Sequence, residues 1–225
     1  MDSQIEVDLA RIKTWMQENA KETLAAMNPP AMEETILRVE QEIGQDFPEG
    51  FKQFLRIHDG ESGIIHAFFG DFNMALPCQE ILTQYRLDQE IGQQFYDPEM
   101  ETVQRWQEQT RQKIIFIQGA VKPLTLHPKW IPFTNMNGDV TRYFDFDPAS
   151  GGVMGQVIQV DPECCTWQVL ANSFEDLLHQ YASDLEKGLY TTDKEVAEGY
   201  IISTSQDNEQ DSVLDWGVPA WLENA

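Results

Sequence analysis

Asp145 and Asp147 stand two residues apart in DFDPASGGVMGQVI, residues 145–158, and Gly151, Gly152 and Gly155 follow them. On a strand, an i, i+2 pair points to one face. Two carboxylates so placed could hold a hard divalent cation, which would make the chain a metal-dependent enzyme using Asp145 and Asp147. The same residues also satisfy a tight turn: Asp147 bonds backbone amides, Pro148 presets φ, and the glycines take positive φ. A motif this short does not establish a metal site without its context, and the turn is the simpler reading. A phosphate cradle fails outright. It requires glycines that lead into a helix, with a lysine and a hydroxyl residue following. Here Gly155 leads into QVIQV, a strand pattern with no lysine near it.

The remaining reactive side chains form no constellation. His58, His66, His127 and His179 show no metal-ligand spacing and no paired nucleophile, and no G-x-S-x-G elbow occurs. Cys164 and Cys165, in DPECCTW, have no basic neighbour to lower a thiol pKa. With Cys78 the cysteine count is odd, which excludes a disulfide framework and fits a reduced, cytoplasmic protein. Trp130 and Trp167 read as core. No cofactor and no metal are expected, and no residue is assigned a catalytic role.

The charge narrows the partners. Thirty-eight acidic against 15 basic residues give a net charge of −23. That field disfavours nucleic acid and anionic membranes and speeds encounter with basic proteins. No apolar run is long enough for a membrane span, and the opening MDSQIEVDLARIK lacks the apolar centre of a secretory signal.

The elements that must position these residues follow from periodicity. Ile5, Leu9, Ile12, Met16 and Leu24 predict an amphipathic helix over 4–27, ended by Asn28-Pro29-Pro30. Met32, Ile36, Val39 and Ile43 predict a second helix, stopped at Gly44, and a third starts at Pro48 with Phe51, Phe54 and Leu55 buried. Residues 63–76 are aromatic enough for one or two strands, and 77–112 read as helical with a break at Asp97-Pro98. From Lys113 the period shortens: KIIFI, WIPF, VTRYFDF, GQVIQV and TWQVL read as strands, with a hairpin at Asn137-Gly138. Ser173 caps a last helix that ends at Gly188. The run STSQDNEQDS, residues 203–212, holds no apolar residue and reads as a linker before a final apolar stretch. Together these predict an α+β fold with a mostly antiparallel mixed sheet and surrounding helices.

Several of these stretches carry a resemblance. NPPAMEETILRVEQEIGQDFPEGFKQFLRIHDG resembles the opening of the SUKH superfamily, in the branch named after the fungal cell-wall regulators Smi and Knr, through Glu40 to Gly44, Phe47-Pro48 to Phe51, and Asp59-Gly60. LPCQEILTQYRLDQE is similar to a family helix at Leu76, Glu80, Ile81 and Leu82. KWIPFTNMNGDVTRYFDFDPASGGVMGQVI and ANSFEDLLHQYASDLEKGLY match the later elements. The likeness covers residues 28–190; it leaves 1–27 as a helical extension and 191–225 as an acidic tail.

The resemblance implies a Smi/Knr-like fold and a non-enzymatic, protein-binding role. Many bacterial members are immunity proteins that block a cognate toxin, often a nuclease, and fungal members are hubs coordinating glucan synthesis with signalling. The immunity role is the leading expectation here, with the scaffold role second and the metal enzyme third. The acidic balance then suggests a rim facing a basic toxin domain, with Asp59, Glu61, Asp139, Asp145 and Asp147 as its partner-binding candidates. If charge steers that encounter, the association rate with the cognate partner should fall sharply between low and high salt; a rate indifferent to salt would contradict it.

Overall fold

The computed structural model describes residues 3–63, 65–92, 116–136, 138 and 140–204, with residues 101, 104, 105, 108 and 109 between them. Helix α1 (Gln4–Asn19) opens on a capping box, in which the Ser3 hydroxyl accepts the Glu6 amide and Glu6 accepts the Ser3 amide. Ile5, Leu9, Ile12 and Met16 form its buried stripe and belong to the main core. The single helix expected over 4–27 breaks at Ala20, whose φ of −141° is not helical, and resumes as α2 (Lys21–Ala26). Helix α3 (Glu33–Ile43) ends where Gly44 turns left-handed at φ +77°. Helix α4 (Glu49–Leu55) follows Pro48, and further along the chain come α5 (Cys78–Gly92) and α6 (Phe174–Glu186). Ser173 caps α6 by accepting the Asp176 amide at 3.0 Å.

The main sheet has six strands: β1 (Met74–Ala75), β2 (Phe116–Gln118), β3 (Trp130–Met136), β4 (Val140–Asp145), β5 (Gln156–Asp161) and β6 (Thr166–Ala171). Their order is β1-β3-β4-β5-β6-β2, antiparallel throughout except for the parallel β2–β6 pair. The fold is therefore α+β with a mostly antiparallel mixed sheet. Alternation along the strands feeds two cores. Ile131, Phe133, Phe144 and Val157 face the helices, whereas Trp130, Tyr143, Ile158, Val160 and Trp167 pack under Val121 and Leu126 on the other side. The helix-side core is aromatic: Phe144 lies 4.5 Å from Phe133, 4.9 Å from Phe51 and 6.0 Å from Phe174, centroid to centroid. Arg142 is also fully buried on β4, donating from Nε to Gln159 and lying 5.8 Å from the Phe69 ring centre.

Two regions depart from the sequence pattern. Among the described residues of 63–76, only Met74 and Ala75 form a strand; the others lie in turns, bends and irregular backbone, because Phe68 and Phe69 fill the core and do not alternate across a sheet. Past Tyr190, where the acidic tail was expected to begin, the chain builds a second sheet from β7 (Tyr190–Thr192) and β8 (Ile201–Ser203). This hairpin is latched to the body. Asp71 donates its amide to Ile201 and accepts the Ser203 amide, and the Phe72 ring lies tilted against Tyr200 with centroids 4.7 Å apart. Thr23 on α2 donates its hydroxyl to the Gly199 carbonyl at 2.7 Å. Asn137, most of the helix expected beyond Gly92, residues 113–115 and residues 205–225 lie outside the described residues.

Phe144 touches both the sheet and the helices, so truncation leaves a void that neither can close alone. Phe144→Ala should lower unfolding free energy by about 3–5 kcal/mol in urea titration. An unchanged midpoint would show that the aromatic cluster is not what joins the layers.

Candidate functional site

Asp145 ends β4 and has no exposed surface. Its Oδ1 accepts the Trp130 indole N–H and the Asp147 amide, both at 3.0 Å, and its Oδ2 accepts Gln156 Nε2 at 3.0 Å. Gln156 in turn donates to the Ala120 carbonyl and accepts the Val153 amide. One carboxylate thus ties β3, β4, β5 and the glycine-rich turn together. Burial raises the Asp145 pKa, while those donors and Lys122 oppose the shift. The turn packs closely: a Cβ on Gly152 would stand 2.6 Å from Pro148 Cβ and 3.0 Å from Ala120 Cβ, and Gly151 and Gly155 hold φ of +92° and +83°.

Asp147 lies beyond the strand end, so the two aspartates do not share a face. Its side chain is half exposed and meets Lys122 Nζ at 2.5 Å and His127 Nε2 at 3.3 Å. The Lys122 bond holds its pKa below the usual carboxylate range. Burial and the neighbouring Lys122 push His127 down to about 4, so near pH 7 it meets the Asp147 carboxylate as a neutral imidazole. Asp145 is surrounded by N–H donors and Asp147 by cationic and imidazole groups, an environment suited to carboxylates and hostile to a metal ion. Among the described residues, no three His, Cys, Asp or Glu side chains come together to hold one.

Two further rim candidates, Asp59 and Glu61, also turn inward. Asp59 accepts the Cys78 amide at 2.7 Å, satisfying a donor at the start of α5. Glu61 is 5% exposed and accepts two backbone amides, Phe68 at 2.8 Å and Ala75 at 2.5 Å. Its own amide donates to the Ala75 carbonyl, so it covers the outer edge of β1 and pins the loop between. Burial pushes Glu61 up to about 8 against the pull of those two donors. Glu61 and Asp145 are therefore corrections to the expected exposed rim, since the fold buries both carboxylates against its own donors. Asp139 lies outside the described residues. The thiols of Cys78 and Cys164 are both pushed up by burial and acidic neighbours, away from nucleophilic character.

Glu61 does form part of the wall of a groove of about 480 Å³ between α5 and the β1 edge. Met74, Leu76, Pro77 and Leu87 supply its apolar lining, and Glu80, Thr83, Gln84 and Asn135 its polar lining. Glu80, Thr83 and Leu87 are exposed along one face of α5. The sequence singled out Glu80 only as a match to the family helix and gave it no binding role. The available signal was positional: Glu80, Thr83, Gln84 and Leu87 share the i, i+3/i+4 face opposite buried Ile81 and Leu82.

Comparison with known proteins gives this geometry a context. The model of the SMI1 / KNR4 family (SUKH-1) matches residues 30–180. The chain is 25% identical to a glucan synthesis regulatory protein of Neurospora crassa, over 84% of this chain and 40% of that protein. It is 28% identical to a cell wall biosynthesis/cell cycle regulator of Schizosaccharomyces pombe, over 82% and 37% of the two chains. It is 25% identical to the cell wall assembly regulator SMI1 of Saccharomyces cerevisiae, over 79% and 39%. The chain thus spans about 40% of the length of these relatives.

Glu61 carries a pH signature. Its folded pKa of about 8 exceeds the ordinary 4.5, so the folded state binds more protons than the unfolded state between those values. Its contribution is then fully present below the ordinary value and declines as pH rises through the folded one. Urea unfolding at pH 5 and pH 8.5 should show Glu61→Gln gaining on the wild type as pH rises. A difference independent of pH would mean that Glu61 stays ionised throughout.

Proposed function

Since this chain belongs to the SMI1 / KNR4 family (SUKH-1), we propose that it is a protein-binding regulatory module acting without catalysis in the control of cell-wall glucan synthesis. The observation that carries the proposal is the similarity to three fungal regulators across about four fifths of the chain. Their names are those of regulators and not of enzymes. The chemistry of the site supports the same reading. Asp145, the residue a metal enzyme would need most, is enclosed by the Trp130, Gln156 and Asp147 donors.

The immunity role led the expectations drawn from sequence, and the scaffold role came second. None of the three names refers to a toxin or to immunity, and each refers to the cell wall or its glucan. The weight therefore moves to the scaffold role. No helix among the described residues is long and apolar enough to cross a membrane. The partner is a protein, and the net charge of −23 favours one with a basic surface.

The test is a chimera. Replacing the matching region of the Saccharomyces cerevisiae regulator with this chain should restore wall glucan synthesis in a strain that lacks the regulator. A chimera that is expressed and folded, yet leaves glucan synthesis at the level of the deletion strain, would overturn the proposal.

A further inference from the structure

We infer that the groove between α5 and the β1 edge receives a segment of a partner protein in which a lysine or arginine is flanked by apolar side chains; this rests on the reading of the chain as a protein-binding module. The cavity, at about 480 Å³, is large enough for a few side chains. Its floor and one wall are apolar through Met74, Leu76 and Leu87. Leu87 is 47% exposed, and Ile91, one turn further along α5, is 44% exposed, which carries the apolar strip past the groove's end.

Charge selects the occupant. Among the described residues, the ionisable side chains lining the groove are Glu61 and Glu80, both acidic. Glu61 is already held by two backbone amides, which leaves Glu80 as the exposed carboxylate. The side-chain donors of the lining already donate within the protein. Asn135 gives to Gln84, Gln84 to Asp88, Thr83 to the Gln79 carbonyl, Ser62 to the Ala26 carbonyl, and Asn28 to the Asp59 carbonyl. Arg86, the cation on α5, reaches across to Glu42 on α3. The exposed charge that the groove offers an incoming group is thus the Glu80 carboxylate, within a chain of net charge −23. A segment with a cationic donor and apolar neighbours matches it, whereas an acidic one would be repelled.

The geometry also excludes docking by strand addition. The Ala75 amide donates to Glu61 Oε1 and the Ala75 carbonyl accepts the Glu61 amide, so β1 presents no open ladder there. Recognition must proceed through side chains.

Random-peptide phage selection against the full chain tests this. Enriched peptides should carry a lysine or arginine within a few residues of an aliphatic or aromatic side chain. Synthetic versions should bind Glu80→Arg and Leu87→Asp about tenfold or more weakly than wild type. Glu34→Arg, the same charge change at an exposed site on α3, should leave binding within about twofold. All three positions are exposed, so thermal unfolding should match wild type; if Glu80→Arg fails to fold, Glu80→Gln carries the comparison. Selection of acidic or purely apolar peptides, no selection at all, or equal binding to the groove variants would overturn the inference. The groove and the glucan reading fail separately. Peptides that respond to the groove variants while the chimera fails would leave the groove standing. A working chimera whose output ignores both groove substitutions would remove the groove alone.

Discussion

A carboxylate taken out of water must be met by donors, and in this fold that requirement fixes where the loops lie. Asp145 is met by an indole, a side-chain amide and a backbone amide from three different positions. Glu61 collects the amides of Phe68 and Ala75, Glu40 the amide of Phe47, and Asp59 that of Cys78. Each bond joins segments that secondary structure alone would leave unconnected. Glu40 sets the turn from α3 to α4, Asp59 the start of α5, Glu61 the course of the loop before β1, and Asp145 the seat of the glycine-rich turn. Removing any one leaves buried N–H groups unsatisfied, so these acids are held by geometry as much as by charge.

This division explains how an acidic chain keeps an ordered core and a negative surface together. The interior acids, each paired with donors, specify connections. The outward ones, Glu80 among them, generate the field that an approaching protein meets. A protein-binding module needs both properties: a rigid frame, and a face whose charge and apolar strip are complementary to a partner. The N-terminal helix belongs to that frame. Ile5, Leu9, Ile12 and Met16 join the same core as the sheet, and Arg11 and Asp8 bond Glu186 and His179 on α6.

Local signals were legible wherever the physics was local. Gly44 and Ser173 end and begin helices as their conformational and capping preferences dictate, and the β-branched runs from Trp130 onward became β3 to β6. The family likeness read from these stretches is shown by the family match over 30–180. What stayed hidden depended on distant partners. Asp145 and Asp147 look equivalent in DFDP, yet the donors that separate them, Trp130 and Gln156, arrive from neighbouring strands. Phe68 and Phe69 look like strand residues because the need to fill a core leaves no period in sequence. The β7–β8 hairpin was concealed by the polar residues that precede Tyr200, and its latch to Asp71 spans more than a hundred residues. The net charge pointed to a rim built partly from Glu61 and Asp145, because composition counts carboxylates without saying which face water.

The most direct test of this account is the thermal midpoint of wild type and Asp145→Ala, each with and without manganese or calcium. If Asp145 is a structural tie, the substitution should lower the midpoint by about 10 °C, and neither cation should move the wild type. A wild type stabilised by cation, with that gain and little else lost on substitution, would mean that the aspartate holds a metal and that the chain performs chemistry there.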